Sequence, residues 1–521
     1  MNAKAARGNN IRVNVVINLI RTLAMTALSF ITFPYVTRAL GDQAFGLYTW
    51  ANTFVYYFLV LAKISIPNIA IVECAKVRDD KEALSKKAQE FFILQAITTL
   101  ISFAFELGLC FAIPALRENN GLIFLLSVNF LVGTFSFEWI YIALEKHIYI
   151  TVRSIVAIAL AALLTYIRIR PAASYYSALN EIYLYAFFTI LPTIITAVVN
   201  CIVLPQHISF KKTQKYDFLP ILRKIPVLFF ISLFVTVYNQ TDSFILGFLD
   251  PGKAAVGAYS VGVKGIDIVI TLVTSLYTVF MPRATHYFGM EDKRFYNNLL
   301  RYSMNITLFI AIPAIATMAT MSSPIVTLVS GENGYENAHW VLTILASMMV
   351  TFSISDNIYT QILLPQKKEA TYLIAMTAGV ILNIGLSLLL GIYAFPSSPV
   401  LGVAIATMAT DVALVAYLLF ATRQYSFKAV FNLNSLKILL VGIAIGVISY
   451  FLYPLLFGAM PFEGDSLWLA KLLSLLSVIA VDAIVYVGVL LLLREKLVSS
   501  FLPSSRARRE KENAQSESEG K

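Results

Sequence analysis

Long apolar stretches, each able to cross a lipid bilayer, recur along almost the whole chain with only short polar breaks between them. A helix needs about 20 mainly apolar residues to span the hydrocarbon core. In lipid every backbone polar group must be satisfied internally, so stretches this long predict helices. Fourteen intervals qualify: residues 11–35, 45–72, 88–114, 121–145, 148–169, 181–204, 225–249, 254–282, 299–328, 338–364, 370–395, 400–422, 436–458 and 467–493. The fourth, fifth and ninth are the least clean. Composition agrees, with 58% hydrophobic and 13% charged residues, where a soluble domain carries roughly 25% charge. The expected fold is an all-α polytopic membrane protein of about 14 transmembrane helices. The breaks leave no room for a folded domain outside the membrane, which excludes an enzyme with a soluble catalytic head. No G-x-x-x-x-G-K-[ST] sequence occurs, so the chain holds no phosphate loop of a nucleotide-driven pump. Neither a catalytic residue nor a cofactor is expected.

The basic residues orient the chain. An even number of spans puts both termini on one side, and short cytoplasmic loops collect Lys and Arg. With the N-terminus inside, 31 of the 40 Lys and Arg residues fall in inward loops or termini, 6 fall outside and 3 lie within spans. Lys146 and Arg153 count among the inward loop charges. The net charge of +10 is therefore chiefly a topology signal for a multi-pass protein of the cytoplasmic membrane with both termini inside. Attraction to anionic membrane lipids is a secondary consequence, and nucleic-acid binding is not expected without a folded basic domain. Cys74, Cys110 and Cys201 stand far apart, and the four histidines have no ligand spacing; neither set points to a disulfide framework or a metal site. No cleavable leader is expected, because Asn14, Asn18 and Arg21 interrupt the first apolar stretch. Residues 494–521 are basic and polar, as a disordered cytoplasmic tail would be.

A weak internal repeat organises the spans. Leu40-Gly41-Asp42-Gln43-Ala44-Phe45-Gly46-Leu47-Tyr48 follows the first, and Leu249-Asp250-Pro251-Gly252-Lys253-Ala254-Ala255-Val256-Gly257-Ala258-Tyr259 follows the seventh. Each is an outer turn followed by an apolar-Gly-x-Tyr helix start. The repeat predicts a six-helix lobe over 1–205, a second over 206–425, two additional transmembrane helices over 426–493 and the tail over 494–521. Two related halves around one site is the plan of a secondary transporter.

The runs YVTRALGDQAFGLYTW at 35–50, IPNIAIVECAKVRDDKEALSK at 66–86, YNQTDSFILGFLDPGKAAVGAYSVGVKGID at 238–267 and MPRATHYFG at 281–289 resemble the Wzx-like polysaccharide repeat-unit flippases. Those belong to the superfamily that also holds the MATE multidrug exporters and the lipid II flippase. The resemblance implies a V-shaped pair of six-helix lobes that moves an undecaprenyl-pyrophosphate-linked oligosaccharide to the outer leaflet by alternating access. It also implies a polysaccharide polymerase and glycosyltransferases as pathway partners. Val72-Glu73 stands where the family often has Arg-Glu, so no substrate contact is assigned there. A MATE-type cation or drug antiporter and a lipid II flippase are the alternatives.

Such a cargo needs buried cations, a polar wall and an opening to lipid. A cation at the bilayer centre costs at least ~2.5–3.5 kcal/mol, so Arg21, Lys63 and Lys264 within spans are the substrate-binding candidates. Lys63 is equally read as a side chain that snorkels to the inner interface. Ser260, Lys264, Asp267, Thr271, Thr274 and Thr278 share one helical face, and Asn14 and Asn18 precede Arg21 on the first span. Ser260, Thr271, Asn14 and Asn18 join the candidate wall. So does Asn52, placed between Tyr48 and Tyr56 at helical spacing, where sugars would stack and hydrogen-bond. For ion coupling the candidates are Asp411, then Asp356, with Asp267 and Asp242. A carboxylate in a low-dielectric site can bind and release a proton, and hydroxyls beside it would serve sodium equally. Asp267 has a second reading as the counter-ion of Lys264, and Asp242 a second reading as structural. Glu106, Glu138 and Asp482 are read as structural.

Overall fold

The computed structural model describes residues 2–171, 175–211, 215–223, 225–278, 280–290, 293–331, 334–459, 467–493 and 495. The expected tail, apart from Glu495, lies outside the described residues. Eleven helices among the described residues are long and apolar enough to cross a membrane. The first of them joins two of the intervals read from sequence. Helix α1 (Asn2–Lys63) has 62 residues, ~93 Å at 1.5 Å per residue, about three times the hydrocarbon thickness. Gly41 interrupts it with φ 76° and ψ 172°, a conformation that only glycine adopts without strain. The turn glycine of Leu40-Gly41-Asp42 thus divides two spans. The fourth interval, after α3 (Lys81–Ala112), is split into the short helix α4 (Asn120–Gly133) and a six-residue helix from Glu138 to Ala143. Fourteen remains an expectation.

Contacts divide the chain into two compact units, Met1–Ser260 with Asn333–Tyr335, and Val261–Glu332 with Glu336–Lys521. In the first unit α1 packs against α3, against α6 (His147–Arg168), against α7 (Tyr175–Val203) and against α8 (Ile225–Leu249). The short helices α2 (Ile66–Lys76) and α5 (Glu138–Ala143) pack on each other. Interhelical hydrogen bonds replace the water that lipid cannot supply: Ser102 Oγ donates to the Phe58 carbonyl (2.7 Å), and Ser127 Oγ to Glu106 Oε1 (2.8 Å). Glu106 is fully buried in this contact, in keeping with a structural carboxylate.

The two repeated turns meet within this unit. A Cβ added to Gly46 would lie 1.8 Å from the Lys253 carbonyl oxygen, and one added to Gly257 would lie 2.3 Å from that of Asp42. Each apolar-Gly-x-Tyr glycine is therefore the point where the other repeat's turn approaches, a reciprocal contact between related surfaces. Lys253, counted as an outer loop charge in the sequence, is buried here. Its ammonium donates to the Gly247 carbonyl and stands 4.4 Å from the Trp50 ring centroid. Burial lowers its pKa.

In the second unit, α9 (Ala254–Thr278), which begins in the first, is followed by α10 (Lys293–Thr320), α11 (Ala338–Leu345), α12 (Met348–Ile358), α13 (Glu369–Leu389), α14 (Pro399–Ala421), α15 (Leu433–Gly458) and α16 (Leu467–Leu492). Helix α13 packs on α14, and α15 packs on both α10 and α16. Asp482 accepts hydrogen bonds from Ser449 Oγ and Thr317 Oγ1, tying α16 to α15 and α10. That is a structural role.

Candidate functional site

Two helix breaks shape the first unit's interior. Helix α1 stops at Lys63, and Ile64 and Ser65 take left-handed backbone angles (φ 40° and 57°) before α2 resumes the path. A β-branched residue is rarely found at positive φ, and such strain persists only where surrounding packing holds it. Thr98 Oγ1 donates to the Ala62 carbonyl (2.6 Å), satisfying part of the backbone that the break exposes. The second break follows α4, where Phe137 (φ 47°) redirects the chain into α5 and makes Glu138 that helix's first residue. Broken helices at membrane depth occur where they line a cavity or lie within protein.

A cavity of about 770 Å³ opens between these breaks. Its charged lining is Arg21, Lys63 and Glu138; Asn68, Gln95, Asn129, Thr193 and Thr196 add polar wall, and Phe130, Trp139 and Leu59 add apolar wall. Arg21 Nη1 stands 3.2 Å from Glu138 Oε1, and Arg153 Nη2 stands 3.5 Å from Glu138 Oε2. Lys63 also interacts electrostatically with Glu138. Behind the carboxylate, Arg153 belongs to α6 and is 93% buried (7% exposed). Its Nη1 donates to Asn200 Oδ1, which also accepts from Tyr149 Oη at 2.9 Å. Tyr141 Oη donates to the Asn200 carbonyl (2.7 Å), and Asn200 Nδ2 donates to the Ser136 carbonyl. The fully buried Asn200 thus anchors the guanidinium.

The structure gathers Arg21 and Lys63 into one cavity. Other residues predicted from the sequence lie elsewhere. Asn18 and Asn52 are exposed and do not line it; the side chain of Asn14 lies outside the described residues. Tyr48 packs on Tyr185 with ring centroids 4.6 Å apart, rather than presenting a free face. Lys264 is half-buried on α9 and interacts electrostatically with exposed Asp267 three residues on. Ser260 Oγ and Thr271 Oγ1 donate to their own helix, to the carbonyls of Val256 and Asp267 (both 2.7 Å). Asp242 is buried and accepts from Tyr259 Oη, which joins α8 to α9.

In the second unit, the phenol of Tyr372 on α13 interacts electrostatically with both Asp356 of α12 and Asp411 of α14. Its ring stacks on Tyr359 at 4.3 Å between centroids. Two carboxylates singled out separately in the sequence therefore share one neighbour. Asp411 is buried. Beside it on α14, Thr407 Oγ1 accepts from Asn383 Nδ2 (3.1 Å).

Sequence reasoning missed Glu138 and Arg153. Glu138 was placed near a span end and Arg153 in a loop. The signal that would have found Glu138 is the faltering hydropathy of the fourth interval, which marks the broken helix; Arg153 lies on the unbroken α6, where the sequence carries no comparable signal.

Residues 11–288, more than half of the chain, match the family described as Polysaccharide biosynthesis protein, and residues 228–389 match MatE. The chain is 22% identical over 407 residues to a protein of Escherichia coli (strain K12) named "Putative O-antigen transporter", a match covering 76% of this chain and 93% of that protein. Among solved structures, the lipid II flippase MurJ in an inward closed conformation superposes with TM-score 0.51 and 16% identity, over 92% of this chain and 100% of that one. A multidrug resistance MATE family transporter in an inward-facing conformation gives TM-score 0.58 and 13% identity, over 79% and 99%. Those two likenesses establish the fold as MATE-like. The breadth of the family match settles membership: the chain belongs to the polysaccharide biosynthesis protein family of the superfamily that includes the MATE transporters.

Proposed function

We propose that this protein flips an undecaprenyl-pyrophosphate-linked oligosaccharide repeat unit from the inner to the outer leaflet of the cytoplasmic membrane. The observation that carries this reading is the cavity holding Arg21 and Lys63 among amide and hydroxyl side chains. A pyrophosphate needs cations as charge-assisted partners, the sugars need amides, and the aromatic and aliphatic wall suits the first isoprene units. The O-antigen transporter of Escherichia coli is the relative whose name fits the same cargo class. The protein is a transporter and not an enzyme, as its family is.

Alternating access between the two membrane faces moves the headgroup, and a proton or sodium gradient drives the cycle through Asp411 and Asp356. Asp267 and Asp242 stand second to that pair. Lys264, with Asn14, Asn18, Asn52, Ser260 and Thr271, would meet the cargo in other conformations of the cycle. The polymerase and glycosyltransferases of the same pathway act after and before it. A lipid II flippase would carry the same pyrophosphate chemistry, whereas a cation antiporter would place cations of its cargo against Arg21 and Lys63.

Arg21→Ala and Lys63→Ala in the native host test the reading. Each should lower export of the surface polysaccharide at least about tenfold, the equivalent of roughly 1.4 kcal/mol, while membrane levels of the protein stay normal. Undiminished export in both variants would remove the cavity from the mechanism.

A further inference from the structure

Glu138 places a negative charge inside a cavity whose proposed cargo is itself an anion. The arrangement around it explains how both can be accommodated. Its two oxygens are divided between two guanidinium groups: Oε1 faces Arg21 in the cavity wall, and Oε2 faces Arg153 behind it. The two arginines are unequal. The Arg21 side chain is 23% exposed and lines the cavity, whereas that of Arg153 is 4% exposed and does not.

Arg153 is also incompletely satisfied. Nη1 is held by Asn200, but buried Nε and Nη2 make no hydrogen bond, the latter standing 3.5 Å from Glu138. Buried donors left unmade cost about 1–3 kcal/mol, more when charged. A carboxylate that approached Arg153 in the two-pronged manner would satisfy both. Removing Glu138 from Arg21 therefore does not strand a buried charge, which would be strongly unfavourable.

We propose that Glu138 is a hand-over residue: it competes with the anionic headgroup for Arg21, and when a phosphate takes Arg21, the carboxylate passes to Arg153. This rests on the reading that the cavity receives a lipid-linked pyrophosphate, and it adds the residues that tune that affinity. Arg21 contacts the phosphate; Glu138 and Arg153 act through it and are positioning residues. With Glu138 held by Arg21, the headgroup binds less tightly than the cations alone would hold it, and release at the far leaflet is correspondingly easier. A flippase must let its cargo go, and an internal competitor supplies that without a further ligand.

Inorganic pyrophosphate binding to the purified full-length protein, by titration calorimetry, tests this with R21Q, E138Q, R153Q and E138Q/R153Q. E138Q should tighten binding about tenfold, or roughly 1.4 kcal/mol. R153Q should weaken it about tenfold with Glu138 present but change it less than about threefold in the E138Q background, because the hand-over is needed only when there is a carboxylate to move. A merely structural Arg153 would cost the same in both backgrounds, and that result overturns the proposal. So does E138Q binding no tighter than the unaltered protein, a comparison that stands even if R153Q does not fold. The cavity reading fails separately. If R21Q binds as the unaltered protein does, Arg21 does not meet the anion and both ideas fall; if R21Q loses binding while E138Q gains none, only the hand-over falls.

Discussion

At the residue scale, charge inside the membrane is the informative quantity. Arg21 and Lys63 were legible in the sequence because so few charges interrupt the apolar spans, and an unpaired cation in lipid is costly. Glu138 and Arg153 were not. Hydropathy and charge position treat a residue near a span end as interfacial, and only the left-handed turn at Phe137 and the burial of Arg153 on one face of α6 reveal that both face inward. The hydroxyls of Ser260 and Thr271 show what a polar stripe in the sequence leaves open. A polar face on a helix can spend its hydrogen bonds on its own backbone, as both do here. Asp411 and Asp356 carry a separate prediction. Because Tyr372 interacts with both, Asp411→Asn should abolish the dependence of transport on the ion gradient, and Asp356→Asn should weaken it. Initial transport rates in vesicles with and without an imposed proton or sodium gradient read this out. Full gradient dependence in D411N would make Asp411 structural.

At the element scale, the breaks matter more than the spans. Periodicity and hydropathy place long helices well, because a window of about twenty apolar residues averages over local irregularity. They blur a helix that stops and restarts. The break at Ile64-Ser65 brings Lys63 to the cavity, and the one at Phe137 brings Glu138. Thr98→Val would remove the hydroxyl that satisfies the Ala62 carbonyl. It should destabilise the protein by about 1 kcal/mol, seen as a lower thermal unfolding temperature in detergent; an unchanged or higher temperature would show that this contact does not support the break. The repeated turns make a stronger prediction. The sequence exposed Gly46 and Gly257 only as a shared motif, whereas in the structure each admits the other turn's backbone. A Cβ at either site meets a carbonyl rather than a flexible side chain, so neither clash can be relieved by a rotamer change. Gly46→Ala and Gly257→Ala should each cost about 1–3 kcal/mol and increase labelling of a cysteine placed at Ser260. Unaltered labelling and stability in both would mean that the turns do not meet in the membrane.

For the whole molecule, class was the most legible property and the arrangement of charge the least. Apolar spans were sufficient for a multi-pass membrane protein, because they follow from the bilayer as solvent, whereas the MATE-like fold was legible only through the resemblance of the motif runs to a known family. Which charges converge depends on helix rotation and breaks, which no linear pattern records. The central claim is that a cationic cavity in the first unit carries a lipid-linked anionic headgroup between leaflets. Its most direct measurement is translocation of a polyprenyl-pyrophosphate-linked oligosaccharide in liposomes containing the purified protein, followed by the access of an external glycosidase to the sugar. The unaltered protein should make nearly all of the substrate accessible within the assay, and the Arg21→Ala, Lys63→Ala double variant, equally well inserted, should stay near the rate of protein-free liposomes. Equal translocation by the double variant would contradict the account.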